Sequence, residues 1–196
     1  MQLGIRGKLF AVSVVLVVLV VATSGIWLEA QLRGWLENRI EENLYQHARA
    51  AKALIETVPE IGDTEVVDAL VDRFGGAIGA RFTLIDASGS VLGDSELSLE
   101  QVRNIENHED RPEYRQAVES GEGTARRHSK TMGTDMLYVA AAYVRLDGRG
   151  IVRVAMPLRA VDVTIGRLRT FLLIAGLLGL LVALIMSGLA SELMSR

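Results

Sequence analysis

The chain has 196 residues with a formal net charge of -3, and 49% of its residues are hydrophobic. A mildly acidic chain with 5% aromatic residues has neither the basic surface nor the stacking platforms of a nucleic-acid binder. The absence of cysteine excludes disulfides, thiolate metal sites and cysteine nucleophiles.

Two uncharged apolar runs, residues 9–28 and 171–190, bracket a mixed polar middle. Each is about 20 residues, which as a helix spans roughly 30 Å, the thickness of a bilayer's hydrocarbon core. Both are expected to cross the membrane, with residues 1–8 as a cytoplasmic N-terminus. Arg6 and Lys8 lie just before the first run and favour that orientation, which puts the middle of the chain outside. Arg159, Arg167 and Arg169 precede the second run against a naive charge count, but long translocated domains cross largely regardless of charge. Ala22-Thr23-Ser24 resembles a signal cleavage site. The apolar run continues through Ile26, Trp27 and Leu28 into a further helical pattern, so an uncleaved anchor is expected.

From Leu28, apolar residues recur at Leu32, Leu36 (with Trp35), Ile40, Leu44, Ala48, Ala51, Leu54, Ile55 and Val58, mostly in steps of three and four. This defines a membrane-proximal helix in residues 29–60, stopped by Pro59, and its stripe is a candidate dimer seam. The outer domain proper is placed in 61–158. It opens with a short helix capped at Asp63 and ending at Gly75-Gly76. Arg81–Ile85 then reads as a strand, Asp86-Ala87-Ser88-Gly89 as a turn and Ser90-Val91-Leu92 as the hairpin partner. Ser98-Leu99-Glu100-Gln101 is a capping box opening a helix to about Asn107, and Arg111-Pro112-Glu113 begins another that ends near Gly121. Strands are expected at 124–131, 136–145 and 150–157, followed by an exit helix at 159–170. The fold class is α+β: a five-stranded antiparallel sheet with flanking helices between two transmembrane helices, most economically with the helices on one face.

Alternation along Arg126-Arg127-His128-Ser129-Lys130 puts Arg127 and Ser129 on one face of the strand. Facing a cavity between sheet and helices, they are candidates to bind a carboxylate or phosphate, with Tyr138 and Arg153 converging from neighbouring strands. The bland alternative is that Arg127 pairs with Glu113 or Glu119. Glu106-Asn107-His108-Glu109-Asp110 holds metal-ligand residue types, but with a single histidine and on consecutive positions that seldom converge on one ion; Asn107, His108 and Arg111 are expected to cap a helix and fasten a loop, with ligand or metal contact, or pH sensing by His108 or His128, as the alternatives. No nucleophile–base constellation is present in the sequence, and no catalytic or metal residue is assigned. Ala175, Gly179, Ala183 and Ser187 place a small residue at every fourth position of the second run, a face on which another membrane helix could pack.

The element order, together with Arg81–Ile85, Gly89-Ser90-Val91-Leu92 with Asp94-Ser95, Glu106-Asn107-His108 with Arg111-Pro112-Glu113, Arg127 with Ser129 and Thr131, Tyr138-Val139-Ala140, and Val152-Arg153 with Pro157-Leu158, resembles the PAS-like extracytoplasmic sensors of bacterial two-component histidine kinases, phosphate-regulon type. The resemblance covers about residues 80–158. It implies a two-pass protein of the bacterial inner membrane and a homodimer. It also implies an outside small molecule or protein as signal, and a response regulator reached through a cytoplasmic kinase module. Residues 191–196 fall where a cytoplasmic relay would begin, so the chain reads as the input half of a longer protein. The chain itself holds no phosphoacceptor or ATP-binding motif: Gly121-Glu122-Gly123 is not a phosphate cradle. No cofactor is expected in it, ATP and Mg being implied for the kinase module alone. A chemoreceptor, a cyclic-dinucleotide synthase or a ligand-free docking scaffold are the alternative outputs of the same architecture.

Overall fold

The computed structural model describes residues 5–58, 64–146 and 148–193. The elements run α1 (Ile5–Thr57), α2 (Thr64–Ile78), β1 (Arg81–Asp86), β2 (Val91–Asp94), α3 (Leu99–Arg103), α4 (Pro112–Ser120), β3 (Glu122–Ser129), β4 (Thr134–Arg145), β5 (Gly148–Pro157) and α5 (Arg159–Leu193). They fall into two units: residues 37–159, and residues 1–36 with 160–196.

In the second of these, α1 and α5 are each long and apolar enough to cross a membrane. Arg33 and Asp162 pair at 2.9 Å, and Arg169 pairs with Glu29 through two hydrogen bonds. The expected 159–170 exit helix and 171–190 span are one uninterrupted helix, α5. Gly179 has nothing within 4 Å of its missing Cβ, and Ala175 is exposed. Ala175 and Gly179 are therefore uncovered in a single chain, whereas Ala183 is half-buried; the side chain of Ser187 lies outside the described ones.

The unit of residues 37–159 is built on a five-stranded antiparallel sheet in the order β2-β1-β5-β4-β3. The expected sheet and flanking helices are present. The helices, however, cover both faces rather than one. Gly93 on β2 accommodates Val67 and Val71 of α2, and Phe74 stacks on Phe82 at 5.2 Å on the same face. Arg126 and Glu122 of β3 pair from that face with Glu37 and Arg49 of α1. On the other face Ile85, Ala140 and Ile151 pack with Tyr114 and Ala117 of α4. The reason is visible in the strands: β4 carries apolar residues on both sides, and Ile85 and Ile151 on one face and Phe82, Leu84, Val152 and Val154 on the other add to it, so both faces must be covered to remove that surface from water.

Coverage by α1 also corrects the reading of its apolar stripe. Leu44, Ala48, Ala51 and Ile55 are 0–3% exposed within the single chain. That part of the stripe is core, not a free dimer seam. The helix ends at Thr57 as expected, although Pro59 and the Asp63 cap lie outside the described residues, as does Asp147 in the β4–β5 turn.

Two helix ends differ from expectation. α2 continues through Gly75-Gly76 to Ile78 and stops before Gly79, whose φ of +62° is the left-handed conformation that glycine adopts without strain. Gly75 is needed for another reason: a Cβ there would collide with Ser95. α3 ends at Arg103, well before Asn107, because Asn104 takes the C-cap and returns its side chain to the Glu100 carbonyl. Its N-terminus is the expected capping box of Ser98 and Gln101. α4 matches its expected start and its Gly121 stop.

Candidate functional site

The segment between α3 and α4 does not continue a helix because its polar groups are spent on the β1–β2 turn. Asn107 donates to the Ser88 carbonyl at 2.8 Å and accepts from the Glu109 amide at 2.7 Å. The His108 amide donates to the Gly89 carbonyl at 2.8 Å, and Tyr114 Oη donates to the Asp86 and Ala87 carbonyls. Gly89, at φ +84°, leaves room that any side chain would take from Asn107 and Glu109. The expected loop-fastening role of Asn107 and His108 is present, while the expected helix-capping role passes to Asn104.

This tie holds the loop over one face of the sheet and leaves a cavity of about 300 Å³ beneath it. The pairing register explains which side chains face it. Tyr138 is opposite Ala155 and Ala140 opposite Arg153, while Arg153 is also opposite Thr83 and Arg81 opposite Ala155. Arg127 is opposite Met136 and Ser129 opposite Thr134. Since every second residue of a strand shares a face, Arg81, Thr83, Arg127, Ser129, Tyr138 and Arg153 all project to the loop side. All four ligand candidates named from the sequence, Arg127, Ser129, Tyr138 and Arg153, line the cavity, as do His108 and Arg111. Asn107 does not line it; its side chain is turned to the β1–β2 turn.

The floor is a buried charge network. Glu113, fully buried, receives both Arg127 Nη2 at 2.7 Å and Arg127 Nε at 3.3 Å, so the pair is bidentate. The same carboxylate takes Arg153 Nη1 at 3.4 Å. Of the two acids offered for Arg127 from the sequence, Glu113 is the one used. Asp94, also fully buried, accepts from Arg81 Nε at 2.9 Å and from Thr83 Oγ1 at 2.8 Å. Arg153 Nη2 donates to Thr83 Oγ1 at 3.1 Å and stands 4.0 Å from Asp94. Two guanidiniums lie over the ring of Tyr138, Arg127 at 3.9 Å and Arg153 at 5.2 Å from its centroid. Its hydroxyl reaches Met136 Sδ at 3.7 Å. Tyr138 therefore serves the cavity through its π face. Ser129 is buried and its hydroxyl accepts from the Met132 amide at 3.2 Å, which leaves its own proton to give.

The electrostatics follow from burial and these partners. Burial, reinforced by the nearby charge of Arg153, pushes the His108 imidazole down to about 3, so it is neutral at any ordinary pH. Burial alone would raise the Glu113 carboxyl; hydrogen bonding to Arg127 and the charge of Arg153 outweigh it and hold the carboxyl below the usual range. Burial pushes the Arg153 guanidinium down, against the opposing pull of Glu113 and Asp94. Arg153 Nε is buried with no hydrogen-bond partner among the described residues. At the mouth, Arg111 pairs with Glu106 at 3.3 Å and Lys130 approaches it at 4.0 Å. Among the described residues no group of three or more His, Cys, Asp or Glu side chains could hold a metal ion.

Sequence reasoning missed Arg81, Thr83 and Asp94, having read the first two as part of a strand. A polar residue at alternate positions of an otherwise apolar β1 was the available signal, since such residues must share a face and find partners.

No protein-family profile matches the chain, and no curated protein matches it. Among solved structures, the ligand-binding domain of the Campylobacter jejuni chemoreceptor Tlp3 in complex with L-valine is similar at a TM-score of 0.57 and 15% identity, covering 73% of this chain and 62% of that one. An extracellular ligand binding receptor from Desulfohalobium retbaense is similar at a TM-score of 0.50 and 18% identity, over 72% of this chain and 26% of that one. The sensor domain of the Vibrio cholerae histidine kinase DctB matches at 0.49 and 19%, over 66% and 58%. The chain spans 60–66% of the length of the Tlp3 domains it matches. The fold is thus the PAS-like one of extracytoplasmic sensory domains. The likeness does not extend to a phosphate-regulon assignment.

Proposed function

We propose that this chain is the signal-sensing and transmembrane portion of a membrane sensor histidine kinase, with the sheet domain outside a bacterial inner membrane and two copies forming a homodimer. The supporting observation is the arginine-lined cavity under the α3–α4 loop, where Arg153 is 2% exposed and its Nε lacks a partner. A filled core would have favoured a ligand-free docking scaffold; a polar cavity of about 300 Å³ favours a small molecule. Arg153 sits on β5, which leads into α5, and α1 runs unbroken from Ile5 to Thr57. A ligand that binds two packings of the domain with different affinity shifts their populations, and continuous helices carry such a shift without a flexible joint. The kinase module, its ATP and Mg, and the response regulator lie with the parent protein. A phosphate-regulon role rests on the residue resemblance alone, since fold does not transfer a signal.

Two experiments test this reading. With no native cysteine, a single Glu119→Cys chain in cells is expected to react with a membrane-impermeant maleimide added from outside. Labelling only after the cytoplasm is opened overturns the topology. The reading frame beyond Arg196 is expected to encode a helix with a phosphoacceptor histidine and an ATP-binding domain; a methyl-accepting or cyclic-dinucleotide-synthase module there replaces the kinase reading with a different output.

A further inference from the structure

The charges beneath the cavity do not balance. Three guanidiniums, those of Arg81, Arg127 and Arg153, face two carboxylates, those of Asp94 and Glu113. Both carboxylates are fully buried and already engaged, Asp94 by Arg81, Thr83 and the Glu96 amide, Glu113 by Arg127 and Arg153. His108 is neutral and accepts from or faces Arg153 across 3.2 Å, adding no negative charge. One positive charge in excess, with an unpartnered Nε on a side chain 2% exposed, is costly unless something in the cavity answers it. An ammonium group finds the reverse. Glu106 is the one carboxylate among the described lining residues, and it is shared between Arg111 and Lys130 at the mouth.

We infer that the cavity selects a small anion bearing a carboxylate or phosphate and lacking an ammonium group, and so rejects free α-amino acids. This rests on the cavity being the ligand site. It sets the chain apart from the Tlp3 domain described above, whose complex is with L-valine. Specificity here is mostly repulsive: an ammonium placed among the guanidiniums finds no unshared carboxylate among the described lining residues to offset the like charge.

The test uses the full chain in nanodiscs, with thermal unfolding and calorimetric titration against succinate, L-aspartate and inorganic phosphate. L-Aspartate is succinate with one ammonium added, so the pair isolates that group. Succinate is expected to raise the unfolding temperature and to bind more tightly than L-aspartate by about tenfold or more. Stabilisation by phosphate with neither organic acid also supports the anion class and assigns phosphate as its source. Arg111→Gln is expected to weaken, and Glu106→Gln to strengthen, binding of whichever anion binds; both change charge at the mouth without touching the buried pairs. L-Aspartate binding as tightly as succinate overturns the proposed class while leaving the cavity as the ligand site. No stabilisation by any of the three, with both variants silent, overturns the class and the ligand-site reading together.

Discussion

Arg153 Nη1 and His108 Nδ1 stand 3.2 Å apart, both residues nearly sealed from water. A guanidinium is always a donor, so the imidazole nitrogen facing it must be unprotonated and accepting. This contact ties the fifth strand to the loop that roofs the cavity. It works only with a neutral histidine, which is the state burial and Arg153 enforce.

The contact predicts an acid-sensitive domain. The folded His108 pKa is about 3, against an ordinary 6.5. Between those values the unfolded chain binds a proton that the folded chain refuses, so stability falls as pH drops below about 6.5. The loss from His108 at pH 5 is about 2 kcal/mol. The charged groups facing it (Arg153, Arg111, Arg127 and Arg81) all act in the same direction. His108→Gln keeps an acceptor for Arg153 and removes the titration. Thermal unfolding of the full chain in micelles is expected to lose less stability between pH 7 and pH 5 in that variant than in the wild type; equal slopes assign the acid sensitivity elsewhere.

Glu113 is the counter-charge on which two arginines depend. Glu113→Gln leaves Arg127 and Arg153 facing a neutral amide, and removing one member of a buried ion pair costs about 3 kcal/mol or more. Arg115→Gln, on the same helix as Glu113, breaks only an exposed pair with Asp110 of the preceding loop and is expected to change stability by less than about 1 kcal/mol. Chemical unfolding of the two variants side by side checks the contrast. The sign with pH also follows: Glu113 has a lowered carboxyl pKa, so its contribution is present at neutral pH and is lost as pH falls through the folded value.

How far these features could be read in advance depended on whether the causes were local. The strands, the α3 capping box and the Gly121 stop were legible because alternation, a box motif and a left-handed glycine act within a few residues. Alternation alone put Arg127 and Ser129 on one face; that Tyr138 and Arg153 share it depends on the register of β3, β4 and β5, and the choice of Glu113 as partner needed the packing of α4 on β3. What could not be read came from distant partners. Asp94 is reached by Arg81, Thr83 and Arg153 from three separate positions. The stripe on α1 has the same periodicity whether it meets another copy or its own sheet, and tertiary packing alone chose the sheet.

Gly75 and Gly76, adjacent in α2, show how the same residue type serves two roles. A Cβ at Gly75 would overlap Ser95, whose hydroxyl accepts from the Phe82 amide at 2.9 Å; nothing lies within 4 Å of one at Gly76. Gly76→Ala is therefore expected to stabilise the domain by about 0.5–1 kcal/mol through lower backbone entropy in the unfolded chain. Gly75→Ala is expected to destabilise it by about 1–3 kcal/mol, because α2 must move off β2. Opposite shifts in unfolding temperature support a packed α2–β2 contact. Equal stabilisation by both means the two elements are further apart than described.

The burial of the α1 stripe makes the last prediction, and it separates core from interface. Leu44 is fully buried within the single chain, whereas Leu54, ten residues further along the helix, is 52% exposed. Leu44→Ala removes packed methyl groups and leaves a cavity, which costs about 2–5 kcal/mol. Leu54→Ala removes little that is shielded from water and is expected to cost less than about 1 kcal/mol in a monomer. A homodimer seam formed by the same stripe would make the Leu44 effect depend on protein concentration, since dissociation exposes it. Packing against the chain's own sheet makes it independent of concentration. Unfolding of Leu44→Ala across a wide range of protein-to-detergent ratios distinguishes the two: a constant midpoint places Leu44 in the domain core, and a midpoint that climbs with concentration returns the stripe to the dimer interface.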